Sequence, residues 1–399
     1  MKKKKWEKMK DNKRKKIFPM FKNNLDIIYL DNAALTFKPK SVIKKGVEFY
    51  EKFSISTRTA DSKIGIKIAN DLRNVRQKIA NFVQSNENEV IFTQGTTDGL
   101  NQIASMLSRI TNNGEIIFSY FNHSSAIVPF IENFKNKNIV FKYCEDENSI
   151  LKSINKNTKI LIIPQTTNNF QIKFDLKKIY KKCKKYNTIL INDAAQAIAH
   201  TKVDFNYCDV LVFSSNKIYG PTGSGALIVK EDILSKLSPI KWGGGQVQDI
   251  YQTCSWNMRN SISKWEPGTL NFAGILQMGE ALNFLNSFNI KKIQKYETEI
   301  ANYAYDELLK IKNITIDSKR GDTIILFNIN SVSSQDVASY LGNRNIYVRA
   351  GAFCAYKFKE VNNLSNSYVR ISLALYNNKN DIDVLVETLK NGGNFIEIF

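Results

Sequence analysis

The chain of 399 residues is 43% hydrophobic and 11% aromatic, which indicates a globular protein too long for a single ordinary core. Its net charge of +20 does not require a nucleic-acid partner, because residues 1–16 alone hold ten lysines and arginines against two acids and no nucleic-acid motif follows. Five widely spaced cysteines, with no secretory signal and no apolar run long enough to cross a bilayer, predict a cytoplasmic protein with reduced thiols and no metal site.

The chain begins with a basic segment, which we interpret as a tail over residues 1–26. From about residue 89, short apolar runs alternate with helical stretches. This pattern is typical of a mostly parallel sheet that helices cover on both faces. A helix with one apolar stripe is predicted over residues 98–107. We predict seven strands, at residues 89–93, 115–118, 139–143, 159–163, 188–192, 209–214 and 225–229.

A turn that suits an anion lies between the first of these strands and the helix. Its sequence is Gly95-Thr96-Thr97-Asp98, and the free N–H groups and dipole at the start of a helix attract anions. The hydroxyls of Thr96 and Thr97 add donors, and Ser214 is a candidate second phosphate ligand. Glycine and threonine are also common as helix caps, so this turn alone is a weak signal.

His123 follows the strand at residues 115–118 and therefore lies at the carboxyl edge of the predicted sheet. A flat imidazole at this edge can stack on a cofactor ring and move protons near neutral pH. A lone histidine is more often structural, but this position favours the functional interpretation.

The most informative pair is Asp193 and Lys217, which follow two neighbouring apolar runs. Carboxyl ends of parallel strands meet at the crevice where open α/β sheets bind ligands. The pair suits pyridoxal 5′-phosphate (PLP), because a lysine forms a Schiff base with its aldehyde and an aspartate keeps its ring nitrogen protonated. A structural ion pair is the alternative interpretation. Gln196, one helical turn after Asp193, is either a donor to the cofactor's phenolic oxygen or a surface glutamine.

The alternation of short apolar runs and helical stretches ends after the seventh predicted strand. Residues 276–310 are predicted to form a long helical connection. The strands and helices predicted beyond it indicate a smaller α+β lobe, with strands at 323–328, 346–349 and 368–373 and helices at 335–341 and 381–389. We therefore predict a large domain over residues 27–280 and a small domain over residues 281–399.

Two residues of the small lobe can carry chemistry. Cys354 lies in a glycine-containing loop after a strand, and such a loop can be mobile and exposed, as a sulfur nucleophile requires. A buried inert thiol is the default alternative. Arg370 alternates with apolar neighbours on a strand, where an arginine usually has an anionic partner that its planar fork binds.

Taken in order, these segments resemble the cysteine desulfurases of the class V aminotransferase family, in the group that also includes selenocysteine lyases. The resemblance covers about residues 27–392. The matching motifs are Ile28–Ala34, Phe92–Thr97, His123 with Ile127–Pro129, Asp193–Gln196, Lys217 with Tyr219–Gly223, Trp265–Thr269, Arg349–Gly351 with Cys354, and Arg370.

The resemblance implies a PLP-dependent transferase of fold type I, with a mostly parallel seven-stranded sheet sandwiched by helices and a smaller α+β C-terminal domain. It also implies that L-cysteine is converted to L-alanine while Cys354 takes the sulfur as a persulfide. The sulfur would pass to an acceptor or iron–sulfur scaffold protein, for iron–sulfur cluster assembly or RNA thiolation.

The resemblance further implies a role for each matching residue. Lys217 would hold PLP covalently, and Arg370 would bind the substrate carboxylate. The remaining implied contacts are Asp193 with the ring nitrogen, His123 on the ring face, Gln196 and Asn168 with the phenolic oxygen or substrate, Thr96, Thr97, Ser214 and Asn216 around the phosphate, and Thr269 from the other subunit of a homodimer.

Several positions depart from the family pattern. A histidine usual before the lysine is Asn216 here, and the paired histidines before the cysteine are Ala352-Phe353. The stretch Arg58–Ser62 lacks its histidine, Gln171 replaces a glycine, and Gln335 stands where some relatives carry a histidine. None of these changes removes a group needed for the Schiff base or the persulfide.

Three other functions fit parts of this sequence. A selenocysteine lyase depends less on the nucleophilic cysteine, because selenium leaves more easily than sulfur. A class V aminotransferase needs a keto-acid acceptor and no cysteine at position 354. A non-catalytic scaffold homologue is suggested by the lost histidines, against the intact Lys217 and Asp193.

Overall fold

The computed structural model describes residues 14–57 and 62–391. Over these residues the strands are β1 (Ile28–Tyr29), β2 (Val90–Thr93), β3 (Asn113–Ser119), β4 (Asn138–Cys144), β5 (Thr158–Pro164), β6 (Ile189–Asp193), β7 (Val210–Ser214), β8 (Gly225–Val229), β9 (Val247–Ile250), β10 (Trp256–Met258), β11 (Ile314–Ile316), β12 (Ile324–Ile329), β13 (Ile346–Tyr347), β14 (Arg349–Gly351) and β15 (Tyr368–Ser372). The α-helices are α1 (Pro19–Asn23), α2 (Lys40–Lys52), α3 (Lys63–Val83), α4 (Thr96–Ser108), α5 (Val128–Phe134), α6 (Glu147–Ser153), α7 (Leu176–Tyr186), α8 (Ala197–His200), α9 (Glu231–Leu234), α10 (Phe272–Asn286), α11 (Ile290–Leu308), α12 (Ser334–Gly342) and α13 (Lys379–Asn391).

A seven-stranded sheet forms the centre of the molecule, in the order β2-β8-β7-β6-β5-β3-β4. All neighbours are parallel except β8, which runs antiparallel to both β2 and β7. Alternate side chains enter two different cores, with Leu161 and Ile163 on one face and Ile160 and Ile162 on the other. The predicted mostly parallel sheet covered on both faces is confirmed.

The smaller lobe is built on a second, antiparallel sheet of four strands, in the order β11-β12-β15-β14. Helices α12 and α13 contribute Val337, Leu341, Ile382 and Leu385 to its core. The predicted α+β character of this lobe is therefore confirmed. The short opening strand β1 pairs in parallel with β13. The first of the motifs that resemble the family therefore belongs to this lobe.

Two helices form the helical connection that the sequence predicts over residues 276–310. Helix α10 ends at Asn286 and α11 begins at Ile290, so the connection is interrupted between them. The side chain of Asn289 caps the second helix by accepting a hydrogen bond from the N–H of Lys291 at 3.0 Å. A strong cap inside a helical pattern therefore separates the two helices.

The described part of the predicted N-terminal tail packs into the main core. Phe18 is 1% exposed, and its ring lies edge-on to that of Tyr376 with centroids 4.8 Å apart. Lys15 donates a hydrogen bond to the buried Asp381. Residues 1–13 lie outside the described residues, and no helix in the ranges that are described is long and apolar enough to cross a membrane.

A buried ion pair fixes the segment that precedes α10. The guanidinium of Arg76 on α3 donates to both oxygens of Glu266, at 2.9 and 2.8 Å. The same carboxylate accepts the N–H of Phe92 at the start of the central sheet, at 2.7 Å. Both side chains of the pair are at most 10% exposed, so each buried charge is stable only with the opposite charge beside it.

We predict that Arg76→Met destabilises the protein by about 3–5 kcal/mol, because it leaves the Glu266 carboxylate buried without a counter-charge. Urea unfolding measures this loss. The double variant Arg76→Met/Glu266→Gln keeps an acceptor for Phe92 and removes the charge, so it should recover at least half of the loss. If the unfolding free energy of Arg76→Met lies within about 1 kcal/mol of wild type, the buried charge of Glu266 does not depend on Arg76.

Candidate active site

A cavity of about 290 Å³ lies at the carboxyl edge of the central sheet, against the small lobe. Its walls include Pro164, Asp193 and Ser214 at the ends of β5, β6 and β7. The cavity brings together eleven of the twelve predicted site residues: Thr96, Thr97, His123, Asn168, Asp193, Gln196, Ser214, Asn216, Lys217, Cys354 and Arg370.

Lys217 ends the short 3₁₀ turn that follows β7, and its ammonium group donates to the carbonyl of Ala33. Burial and, to a lesser extent, the nearby charge of Arg370 lower the pKa of Lys217 to about 8. Near neutral pH a usable fraction of this amine is therefore unprotonated. An unprotonated amine can attack an aldehyde or accept a proton.

Asp193 is 4% exposed at the end of β6, and one of its oxygens accepts the N–H of Ala195 at 3.1 Å. Burial raises the pKa of Asp193 to about 6. A carboxylate in this position is stabilised by any cationic group that enters the cavity. The neighbouring Gln196 donates to the carbonyl of Ala33 at 2.8 Å.

The predicted anion turn forms at the start of α4. Gly95 has a φ of +145°, and a Cβ on this residue would lie 3.0 Å from the hydroxyl of Ser214. The Ser214 hydroxyl accepts the N–H of Thr96 at 2.7 Å and lies 2.8 Å from the Thr96 hydroxyl. A side chain at position 95 would fill the space beside these donors. The open space and the donors at this helix N-terminus fit a phosphate group.

His123 lies beside this turn, and its Nδ1 accepts the N–H of Ser125 at 3.1 Å. Burial lowers the pKa of His123 to about 4, with the positive charges of Lys217 and Arg370 acting in the same direction. The imidazole is therefore neutral at physiological pH, and the bond to Nδ1 places its proton on Nε2. Ser125, which the sequence did not single out, also bonds the hydroxyl of Thr97 at 2.8 Å.

Arg370 is 2% exposed, and its guanidinium pairs with the carboxylate of Asp31, with 2.7 Å between Nη2 and Oδ1. Arg349 lies directly opposite Arg370 on the neighbouring strand, and its Nη1 is 3.6 Å from the other oxygen of Asp31. Like charges at directly opposite positions repel, so the carboxylate between them is needed. Arg349 also lines the cavity. Neither Asp31 nor Arg349 was predicted as a site residue from the sequence.

Two buried polar atoms of this corner have no hydrogen-bond partner among the described residues. They are Nε of Arg370 and Oδ1 of Asn168, and both residues line the cavity. Buried polar groups are normally satisfied, so these atoms indicate a polar ligand.

Cys354 is half-buried in the cavity wall, between the exposed nucleophile and the buried thiol that the sequence left as alternatives. The carbonyl of Cys354 accepts both the N–H and the hydroxyl of Ser124, at 2.6 and 2.7 Å. The amide of Asn168 donates to the carbonyl of Phe353 at 2.8 Å. Loops of the central sheet therefore hold the cysteine from the small lobe inside the site.

Thr269, the twelfth predicted residue, does not line this cavity within the chain. It is exposed and borders a second cavity, together with Asp98 and Lys241. Its assignment to the site of a second subunit stays a prediction. Most of the stretch Arg58–Ser62 lies outside the described residues.

A lysine and an aspartate at neighbouring strand ends, beside a helix N-terminus that fits a phosphate, define the site of a fold type I PLP-dependent protein. The aminotransferase class-V family matches residues 28–385, and the chain belongs to this family.

The chain is similar to curated and solved proteins over most of its length. It is 35% identical to a probable cysteine desulfurase of Ureaplasma parvum serovar 3, over 95% of this chain and 97% of the relative. The structure of a cysteine desulfurase from Thermococcus onnurineus NA1 superimposes with a TM-score of 0.89, at 23% identity, over 95% of this chain and 97% of that one. A C-DES variant with glycine covalently linked to its PLP cofactor has a TM-score of 0.81, at 15% identity, over 94% of this chain and 99% of that one.

The burial of Asp193 predicts that this carboxylate lowers the free energy of unfolding of the cofactor-free protein. Its pKa is higher in the folded state than in the unfolded chain, so the wild-type protein loses stability as the pH rises from about 4 through about 6. Asp193→Asn does not titrate, and it should be more stable than wild type by about 3 kcal/mol at pH 8. Urea unfolding should show this gain about halved near pH 5 and absent below about pH 3. A gain independent of pH would contradict this assignment.

Proposed function

We propose that this protein is a PLP-dependent cysteine desulfurase, which converts L-cysteine to L-alanine and takes the sulfur onto Cys354. The observation that carries the proposal is the presence of Cys354 in the same cavity as Lys217, Asp193 and Arg370. An aminotransferase of this family has no use for a thiol in that position. The name of the Ureaplasma relative supports the same activity.

The residues of the cavity fit PLP. Lys217 would hold the aldehyde carbon, Asp193 the ring nitrogen, and the turn at Gly95 with Ser214 the phosphate. The role of His123 as a neutral ring-face neighbour agrees with its lowered pKa. When bound, PLP supplies an electron-accepting ring that stabilises negative charge on the substrate α-carbon.

The corner formed by Arg370 and Arg349 would bind the substrate carboxylate. In the described part of the chain, their two positive charges pair with one carboxylate, Asp31, so an incoming anion is attracted. The unpaired Nε of Arg370 and Oδ1 of Asn168 can hydrogen-bond the carboxylate and the ammonium group of an amino acid, respectively.

Lys217 would take the α-proton of the substrate, since its amine is partly neutral near physiological pH. The thiolate of Cys354 would then attack the substrate sulfur. An S–S bond forms, the bond between sulfur and the β-carbon breaks, and the β-carbon keeps that electron pair and takes a proton. Alanine leaves, and the enzyme holds a persulfide.

Further proposals concern the surroundings of this reaction. We propose a cytoplasmic homodimer in which Thr269 of each chain completes the phosphate site of the other, because Thr269 is exposed and lies away from its own cavity. The persulfide would pass to a sulfur-acceptor or iron–sulfur scaffold protein. The proposed division into domains at about residue 280 separates the two larger sheets, except that the opening strand β1 pairs with β13 of the small lobe.

Cys354→Ser should abolish the release of alanine and sulfide from L-cysteine under reductant, since a hydroxyl does not attack the substrate sulfur. Alanine is measured by amino-acid analysis and sulfide by colorimetry. Retention of the PLP absorbance band in the variant is the control for folding. Normal production of both products by the variant would refute the persulfide step.

Capture of PLP by cofactor-free protein should depend on the neutral amine of Lys217. Because its pKa is about 8, the capture rate should rise about tenfold per pH unit below that value and level off above it. The rate is followed by visible absorbance after mixing. Borohydride should then fix PLP to residue 217, and Lys217→Ala should carry no such adduct. A rate still rising steeply above pH 9 would contradict the lowered pKa.

A further inference from the structure

Ser124 makes an unusual contact with the loop that carries Cys354. Two of its groups, the backbone N–H and the side-chain hydroxyl, donate to one acceptor, the carbonyl oxygen of Cys354. This carbonyl belongs to the small lobe, whereas Ser124 follows β3 of the central sheet. The two bonds therefore connect the nucleophile's own peptide group to the opposite wall of the cavity.

The backbone of this loop needs such support. Phe353 and Cys354 have φ angles of +54° and +55°, in the left-handed region that residues other than glycine rarely adopt. Two successive residues in this conformation persist only where the surroundings hold them. The ring of Phe353 lies on the guanidinium of Arg370, with 4.7 Å from its carbon Cζ to the ring centroid, and Asn168 holds the Phe353 carbonyl. Ser124 supplies the anchor at Cys354 itself.

We propose that Ser124 is a positioning residue for the sulfur-transfer step, and that its hydroxyl fixes the direction in which the Cys354 thiol enters the cavity. The proposal rests on the proposed function. Holding the carbonyl with two donors fixes the peptide plane, and a fixed plane limits where the side chain of the same residue points. Without the hydroxyl, one donor remains and the strained loop can relax away from the substrate.

This role affects one step of the reaction and leaves the others intact. Within residues 14–57 and 62–391, the Ser124 hydroxyl bonds the Cys354 carbonyl and none of the groups proposed to bind the cofactor or the substrate carboxylate. Loss of the hydroxyl should therefore lower kcat for L-cysteine and leave KM unchanged. L-selenocysteine should be turned over normally, because release of selenium depends less on the nucleophilic thiol.

The test compares Ser124→Ala with wild type on both substrates. We expect kcat with L-cysteine to fall about five- to tenfold, as for the loss of one hydrogen bond, with KM and selenocysteine turnover within about twofold. Ser124→Thr keeps the hydroxyl and should restore most of the rate. Cys354→Ala should show the largest loss of cysteine turnover with selenocysteine turnover retained. Ser125 bonds His123 and Thr97, so Ser125→Ala should lower turnover of both substrates.

A second measurement needs no turnover. Alkylation of Cys354 by iodoacetamide, followed by mass spectrometry, should be several-fold faster in Ser124→Ala, while alkylation of the exposed Cys254 in the same sample stays unchanged. Unchanged alkylation, normal cysteine turnover or an equal loss with both substrates would overturn the proposal. A wild-type enzyme that releases alanine from neither substrate would instead overturn the proposed function, and this inference with it.

Discussion

The buried guanidinium of Arg370 connects three of the chain segments around the site. One of its nitrogens binds Asp31 in the opening segment, another donates to the carbonyl of Asn168 at 2.8 Å, and its plane carries the ring of Phe353. These segments are distant in sequence and come from both lobes. A buried charge of this kind is tolerated only with a partner, so Asp31 and Arg370 must stay together for the cavity to keep its shape.

The cavity has more positive than negative groups close to the point where a substrate would lie. Lys217, Arg349 and Arg370 face Asp31 and the deeper Asp193. The charge of Arg370 adds to burial in lowering the pKa of both Lys217 and His123, whereas Asp31 and Asp193 raise the pKa of Lys217. The same charges that attract a phosphate and a carboxylate therefore also keep a lysine and a histidine available as bases. Binding and proton transfer depend on one electrostatic arrangement.

Cys354, the proposed nucleophile, belongs to the small lobe, but loops of the central sheet hold its own loop in the cavity wall. A thiol fixed close to a substrate reacts more readily than one that searches for it, since the entropy of orientation has already been lost. Left-handed backbone at two adjacent residues is the strain that accompanies this arrangement. The proposed transfer of sulfur to an acceptor protein would require that protein to reach a half-buried thiol.

The sequence by itself determined the central sheet and the residues at its carboxyl edge. Buried strands and their connecting turns follow from local periodicity, and Asp193, Lys217, His123 and the turn at Gly95 were located because each directly follows a strand. The small lobe and the identity of Cys354 and Arg370 were predicted in the same way, together with the family resemblance. Only the tertiary structure decided the partners of these residues: Asp31 between two arginines, Ser124 on the cysteine loop, and Phe18 inside the core. It also decided the interruption at Asn289 and the distance of Thr269 from its own cavity. These features are contacts between residues far apart in the chain, and local pattern carries no information about which distant side chains the folded backbone brings together.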